Sequence, residues 1–426
     1  MRRRLGGIVA VALVAALCGC AGGNDISAPR SPTPLPEPSE PLGSTSAPPA
    51  APDPARAAVE ALLRRRAEAV VARDRAAFLR TTDEAHRALQ VDWFRRMSRV
   101  PVESFRFELG TGQSGRSATG PVYEADVDAW TRLRGFDPAP VWTTRHLRFA
   151  KERGAWRVTQ DRVDPSQILS APWEMPGIAI RRSGRVLLAA DASSLAQAQG
   201  LVDELERARA FVDAETPRGL GHVVCLALST EGALRAEGLN ADELSRVGAV
   251  TAGVRGADFE VTEQRVIVAP SSLSADPAWV RVMLRHELVH VALASYADTS
   301  PTWLTEGIAD YVAHRGEQPR LGWRAVIAAR QHDMTMPPNG LFYRGDDGDN
   351  STNYAVAWWS LEYLATIRGE DEPFRLLEAF RRHRDSAGFD EMSELLRRRY
   401  GLTADQLAAH AAQLIVDRWR GVLVMP

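Results

Sequence analysis

Apolar positions from Val59 to Val71 (Val59, Leu62, Leu63, Ala67, Val70, Val71) recur at the three-to-four spacing of a helix that buries one face. A second helical stretch, DEAHRALQVDWFRRM, begins at Asp83. The period then changes. Four runs, VESFRFELG, PVYEADVDAWTRL, VWTTRHLRFAKE and AWRVTQDRV, carry strand character, with Phe105, Phe107 and Leu109 alternating in the first and Thr143, Arg145, Leu147 and Phe149 in the third. From about residue 176 the pattern changes again. IAIRRSGRVLLAAD reads as a strand, residues 193–214 as a helix, and HVVCLALST and EQRVIVAP as further strands. After residue 354 the chain reads as helix to its end, with Thr403 and Gln406 forming a capping box for the last helix. This predicts an α+β protein of two units, residues 55–166 and 176–426, with no internal repeat.

The first twenty residues belong to neither unit. Arg2 to Arg4 precede a short apolar run over residues 5–17, too short for a permanent membrane span. The run ends Leu17-Cys18-Gly19-Cys20, which resembles the lipobox of bacterial lipoproteins. That resemblance implies cleavage before Cys20, lipidation of Cys20, and a protein held at the extracytoplasmic face of the cell membrane. Cys18 departs from the Ala or Ser usual at its place. Residues 21–54 hold ten prolines among Ser, Ala and Gly, which predicts an extended linker. At ~3.1 Å per residue it reaches up to roughly 100 Å.

Composition narrows the classes further. The chain has 426 residues, is 45% hydrophobic, and carries a net charge of −2. Its basic residues are arginines apart from Lys151, scattered among acids, so no nucleic-acid partner is expected. With the signal removed only Cys20 and Cys225 remain, and Cys225 lies in an apolar strand, so no disulfide is expected.

The chemistry concentrates in LRHELVHVAL, residues 284–293, an apolar helix interrupted by His286, Glu287 and His290. Two imidazoles four residues apart share a helix face and can grip one Zn²⁺, with the intervening carboxylate beside it. The plainer reading is a pair of core histidines, but it leaves a buried Glu287 without a cation. Sixteen residues after His290 comes Glu306, within PTWLTEGIADYVAHRG, a second helix expected from about Thr302, which places Glu306 and Asp310 one turn apart.

HExxH followed by Trp303, Leu304, Glu306, Gly307, Ala309 and Tyr311 resembles the gluzincin zinc metallopeptidases, most closely their peptidase MA-like group. The resemblance is strong over residues 276–316 and loose over 176–420. It implies a small mixed sheet, an active-site helix and a C-terminal helical subdomain. His286, His290 and Glu306 become the ligands of one zinc, Glu287 the general base, and Asp310 the residue that orients a zinc histidine, His286. Tyr354 matches the family's downstream tyrosine that steadies the oxyanion, with Tyr343 and Tyr363 as competitors. The stretch from Val250 to Pro270 is the expected edge for an extended peptide or protein substrate. No GxMEN-like stretch is present, which favours an endopeptidase over an aminopeptidase.

The N-terminal pattern, helices and then an antiparallel sheet ending GAWRVTQDR, resembles the NTF2-like cone. It holds no obvious acid–base pair, since Asp92 and His146 read as surface or structural residues. The loop over residues 336–353 is placed to cover the cleft. Its Asp346, Asp347 and Asp349 lack EF-hand spacing and read as a solvated acidic loop. His314 and His332 read as cap or surface residues. The competing reading is a zinc-binding scaffold of the cell envelope without turnover, and intact Glu287 argues against it.

Overall fold

The computed structural model describes residues 53–229, 248–256, 261–321, 323–343, 347–382 and 389–420. Residues 1–52, which include Cys20 and the proline-rich stretch, and Asp346 lie outside the described residues. What is described is a mixed α+β fold with two sheets.

Helix α1 (Pro54–Val71) starts where it does because the Asp53 carboxylate accepts the Ala55 N–H and Pro54 presets the first helical φ. Helices α2 (Arg75–Arg80) and α3 (Arg87–Met97) follow, then four strands in an antiparallel meander. These are β1 (Val102–Ser117), β2 (Gly120–Leu133), β3 (Val141–Glu152) and β4 (Ala155–Val163). Strand β1 runs beyond the apolar stretch that predicts it, through Gly110, Gly112 and Gly115. A register shift between Leu109 and Gly112 bends it on the way.

Buried charges meet between this sheet and helix α1. Arg145 sits against Asp161 at 2.7 Å and also pairs with Glu174. Asp161 faces Arg66 at 3.5 Å, and the Arg66 guanidinium lies 3.9 Å over the Phe78 ring. All four charged groups are buried and paired, the condition under which such groups are tolerated. Asp92 pairs with exposed Arg95 and with buried Arg96, and His146 lies 3.1 Å from Asp126 near the surface.

The second sheet has the order β5-β6-β7-β9-β8. The single strand expected from Ile178 to Asp191 is a hairpin of β5 (Ala179–Ser183) and β6 (Val186–Ala190), because Gly184 takes φ +45° in a two-residue turn. Helix α4 (Leu195–Glu215) crosses from β6 to the parallel strand β7 (Val223–Ala227). Strand β9 (Val261–Val268) pairs parallel to β7. The edge strand β8 (Ala249–Arg255) pairs antiparallel to β9.

Every residue of β6 and β7 is buried, so both faces of this sheet need cover. Val186, Leu188, Val223, Cys225, Val266 and Val268 face the helical side. Leu187, Ala189, Val224, Leu226 and Ile267 face the other way, into one core with Phe78, Trp93, Phe94 and Met97 of the N-terminal helices. Trp173, Met175 and Ile178, from the stretch between the two sheets, belong to the same core. A wholly buried ion pair, Arg265 to Asp137 at 2.6 Å, crosses this contact. The two sheets therefore share a hydrophobic core.

The helical side continues with α5 (Pro277–Ala292), α6 (Thr302–Ala313), α7 (Trp323–Gln331), α8 (Asp347–Arg368), α9 (Glu372–Arg382), α10 (Phe389–Tyr400) and α11 (Ala404–Arg418). Helix α11 opens with the Thr403–Gln406 capping box in both directions.

Candidate metal centre

Helix α5 is fixed at its start by Asp276, whose Oδ1 accepts the N–H groups of Ala278 and Trp279 at 3.1 Å each, with Pro277 in the first turn. Its buried stripe holds Met283, Leu284, Leu288 and Val289, and His286, Glu287 and His290 are buried with them. Helix α6 packs across α5 and α8. A Cβ on Gly307 would lie 2.7 Å from the Ala357 carbonyl oxygen, so only glycine permits this crossing. Trp303, Leu304, Ala309 and Tyr311 are buried around it. Most of the second motif therefore builds the packing that delivers Glu306.

Three ligand-type atoms converge between α5 and α6. His286 Nε2 and His290 Nε2 are 3.1 Å apart. Glu306 Oε2 lies 3.2 Å from the first and 3.4 Å from the second. A tetrahedral ion with ligands at ~2.0–2.1 Å sets its ligand atoms about 3.3 Å apart, so this triangle has the dimensions of a metal cradle. The buried Glu306 Oε2 makes no hydrogen bond within the protein, nor does Glu287 Oε1. A buried carboxylate oxygen without a partner, as at Glu287 Oε1, costs kilocalories. His286, His290 and Glu306 form a buried group that can hold a metal ion.

The neighbours orient these atoms. Asp310 Oδ1 lies 2.8 Å from His286 Nδ1, which places a proton on Nδ1 and turns the Nε2 lone pair toward the cradle. Burial opposes charge on His286, but Asp310 and Glu306 outweigh it and raise its pKa well above 6.5. Burial also pushes Glu306 up, yet the His290 and His286 charges hold it far below the usual carboxylate range. Without a metal, a proton supplies the positive charge the acids require. Burial raises Glu287, and the two histidines and the Thr251 hydroxyl offset part of that rise.

Thr251, on the edge strand β8, was not anticipated from sequence. Its Oγ1 lies 2.8 Å from Glu287 Oε2 and 3.1 Å from the Glu287 carbonyl oxygen. Nothing in VTAGVRG marks this threonine, because the pairing spans 36 positions and depends on how β8 meets α5.

The three tyrosines separate clearly. The Tyr354 ring is buried 6.1 Å from the His286 ring and edge-on to Phe342. The Tyr343 hydroxyl donates to Glu306 Oε1 at 2.7 Å. Tyr363 stacks on His410 at 4.2 Å. His314 caps α6 and stacks on Trp358 at 4.0 Å. His332 sits at φ +59° just beyond α7.

Comparison with known proteins adds one finding. The family model BSP, described as a peptidase of plants and bacteria, matches residues 242–339. That stretch contains β8, β9, α5, α6 and α7, and therefore the whole three-atom cradle and Thr251. The chain carries a peptidase-like domain there. No curated protein matches the chain.

Proposed function

We propose that this protein is a zinc-dependent peptidase of the gluzincin kind, acting as an endopeptidase on peptide or protein substrates. The observation that carries the reading is the cradle of His286, His290 and Glu306 with Glu287 Oε1 unpartnered beside it, inside a peptidase-like domain. Ligands of two imidazoles and one carboxylate suit zinc, which when bound supplies Lewis-acid polarisation of water and of the scissile carbonyl. Glu287 Oε1 takes a proton from the attacking water as its oxygen bonds to the carbonyl carbon. As the C–N bond breaks, Glu287 returns that proton to the leaving amine. Thr251 holds Glu287 through Oε2, so Oε1 is the oxygen free for this work. Tyr354, beside His286, is the donor assigned to the oxyanion.

The test compares wild type with Glu287→Gln on fluorescein-labelled casein, with zinc content measured in both. The reading expects equal zinc and a loss of at least about 10²-fold in rate with the substitution. Equal rates would contradict it.

The N-terminal sequence supports a tethered location. Arg2 to Arg4, the apolar run and Cys20 are read as a lipoprotein signal, with residues 21–54 as the stalk. Lipid on Cys20 then anchors the chain at the extracytoplasmic face of the membrane. The helices packed on an antiparallel meander support an NTF2-like unit serving as a spacer. Cys20→Ser should move the protein from the membrane fraction to the soluble fraction, and unchanged fractionation would contradict the anchor.

A further inference from the structure

Glu306 has two oxygens, and only Oε2 faces the histidines. Oε1 accepts the Tyr343 hydroxyl at 2.7 Å. Tyr343 stands on neither ligand-bearing helix and lies beyond the family match, which ends at residue 339. It hangs from the segment between α7 and α8, and that segment is braced on α6 and on α8. Asn339 Oδ1 accepts the N–H of Thr302, the first residue of α6, at 2.9 Å. Phe342 is wholly buried, with its ring 5.1 Å from Tyr354, and its carbonyl accepts Asn353 Nδ2 at 2.8 Å. The hydroxyl is therefore presented by an anchored loop.

We propose that Tyr343 is a positioning residue for the metal site: its hydroxyl holds the Glu306 carboxylate by Oε1, so that Oε2 alone is offered to a divalent cation beside His286 Nε2 and His290 Nε2. This rests on the metal reading above. The terminal torsion of a glutamate is broad, so an untethered carboxylate samples rotations that turn Oε2 away from the imidazoles or present both oxygens at once. A hydrogen bond to the second oxygen removes those alternatives before the ion arrives. Outer partners of this kind contribute about 10–100-fold to metal affinity. The interaction also links metal binding to the segment over residues 332–343, which neither ligand helix contains.

The test is zinc affinity of the full chain, by competition with a chromophoric chelator, in wild type, Tyr343→Phe and Tyr343→Leu. Both substitutions remove the hydroxyl, and the second serves if the first does not fold. The melting temperature of each metal-free protein reports folding. The expected result is one zinc per chain in every folded variant, with affinity about 10–100-fold weaker than wild type. The rise in melting temperature on adding zinc should shrink accordingly, while metal-free melting stays within a few degrees of wild type. Affinity within about threefold of wild type in a folded variant would overturn the role of Tyr343. A wild-type chain that takes up no zinc would overturn the metal reading itself, and the variants would not be needed to show it.

Discussion

Glu287 carries two oxygens with different fates. Oε2 is held by the Thr251 hydroxyl, and Oε1 is buried without a partner. If that asymmetry aims the base, Thr251→Val should lower kcat by about 10–100-fold while leaving KM and zinc content unchanged, and Thr251→Ser should recover most of the loss. Steady-state kinetics on labelled casein decides this, and an unaltered kcat in the valine variant would contradict it. At this scale the sequence was informative where the chemistry is local. His286, Glu287 and His290 announce themselves because polar residues interrupt an apolar helix, while helical spacing puts Asp310 on the face of Glu306 and the family resemblance implies its role. Thr251 and the bond from Tyr343 to Glu306 were not legible, since each joins residues 36 or 37 positions apart through packing that no period encodes.

Among the elements, the crossing of α6 over α8 matters most for the site, because it sets the depth of Glu306. Gly307→Ala places a Cβ 2.7 Å from the Ala357 carbonyl oxygen, and neither backbone can yield cheaply. The substitution should destabilise the fold by about 1–3 kcal/mol and weaken zinc binding, as calorimetry and chelator competition would measure. A variant as stable as wild type would mean the helices can part without cost. Helix positions were readable because caps are local: the Thr403–Gln406 box opens α11 as its sequence requires. Strand limits were less readable. The β5–β6 hairpin hides in one apolar-looking run because Ser-Gly is a weak signal between Arg-rich and Leu-rich halves. Strand β1 outlasts its apolar pattern because it gains hydrogen bonds from β2 through a glycine-rich stretch.

For the whole molecule, the shared core is the main departure from a chain of separate units. The apolar character of both faces of β6 and β7 is plain in VLLAA and VVCLA, but which element covers the second face is not. The N-terminal helices and Trp173 cover it. Thermal unfolding should accordingly show one cooperative transition. Two well-separated transitions in calorimetry would contradict the joint core. Breaking the Arg265–Asp137 pair that crosses it, by Asp137→Ala, leaves a buried guanidinium uncompensated and should cost about 3–5 kcal/mol.

Nearby, burial pushes the Glu263 carboxyl up to about 7 from 4.5, with Arg265 and the Gln264 N–H resisting and Asp137 adding to the rise. Below pH 4.5 this residue is protonated in folded and unfolded chains alike and costs nothing. Between there and pH 7 the unfolded chain ionises first, so stability is lost as pH rises, and the loss is complete above 7. Glu263→Gln should therefore raise the melting temperature by a few degrees at pH 8 and leave it nearly unchanged at about pH 4.5. Equal effects at both values would contradict this assignment.

Metal content tests most directly whether His286, His290 and Glu306 hold an ion. The full chain, purified without chelators, is analysed by elemental mass spectrometry beside His286→Ala and Glu306→Ala. The expected result is about one zinc per wild-type chain and almost none in either variant. Wild-type protein with no zinc, even after equilibration with the ion, would contradict the claim, and so would zinc that persists in both variants.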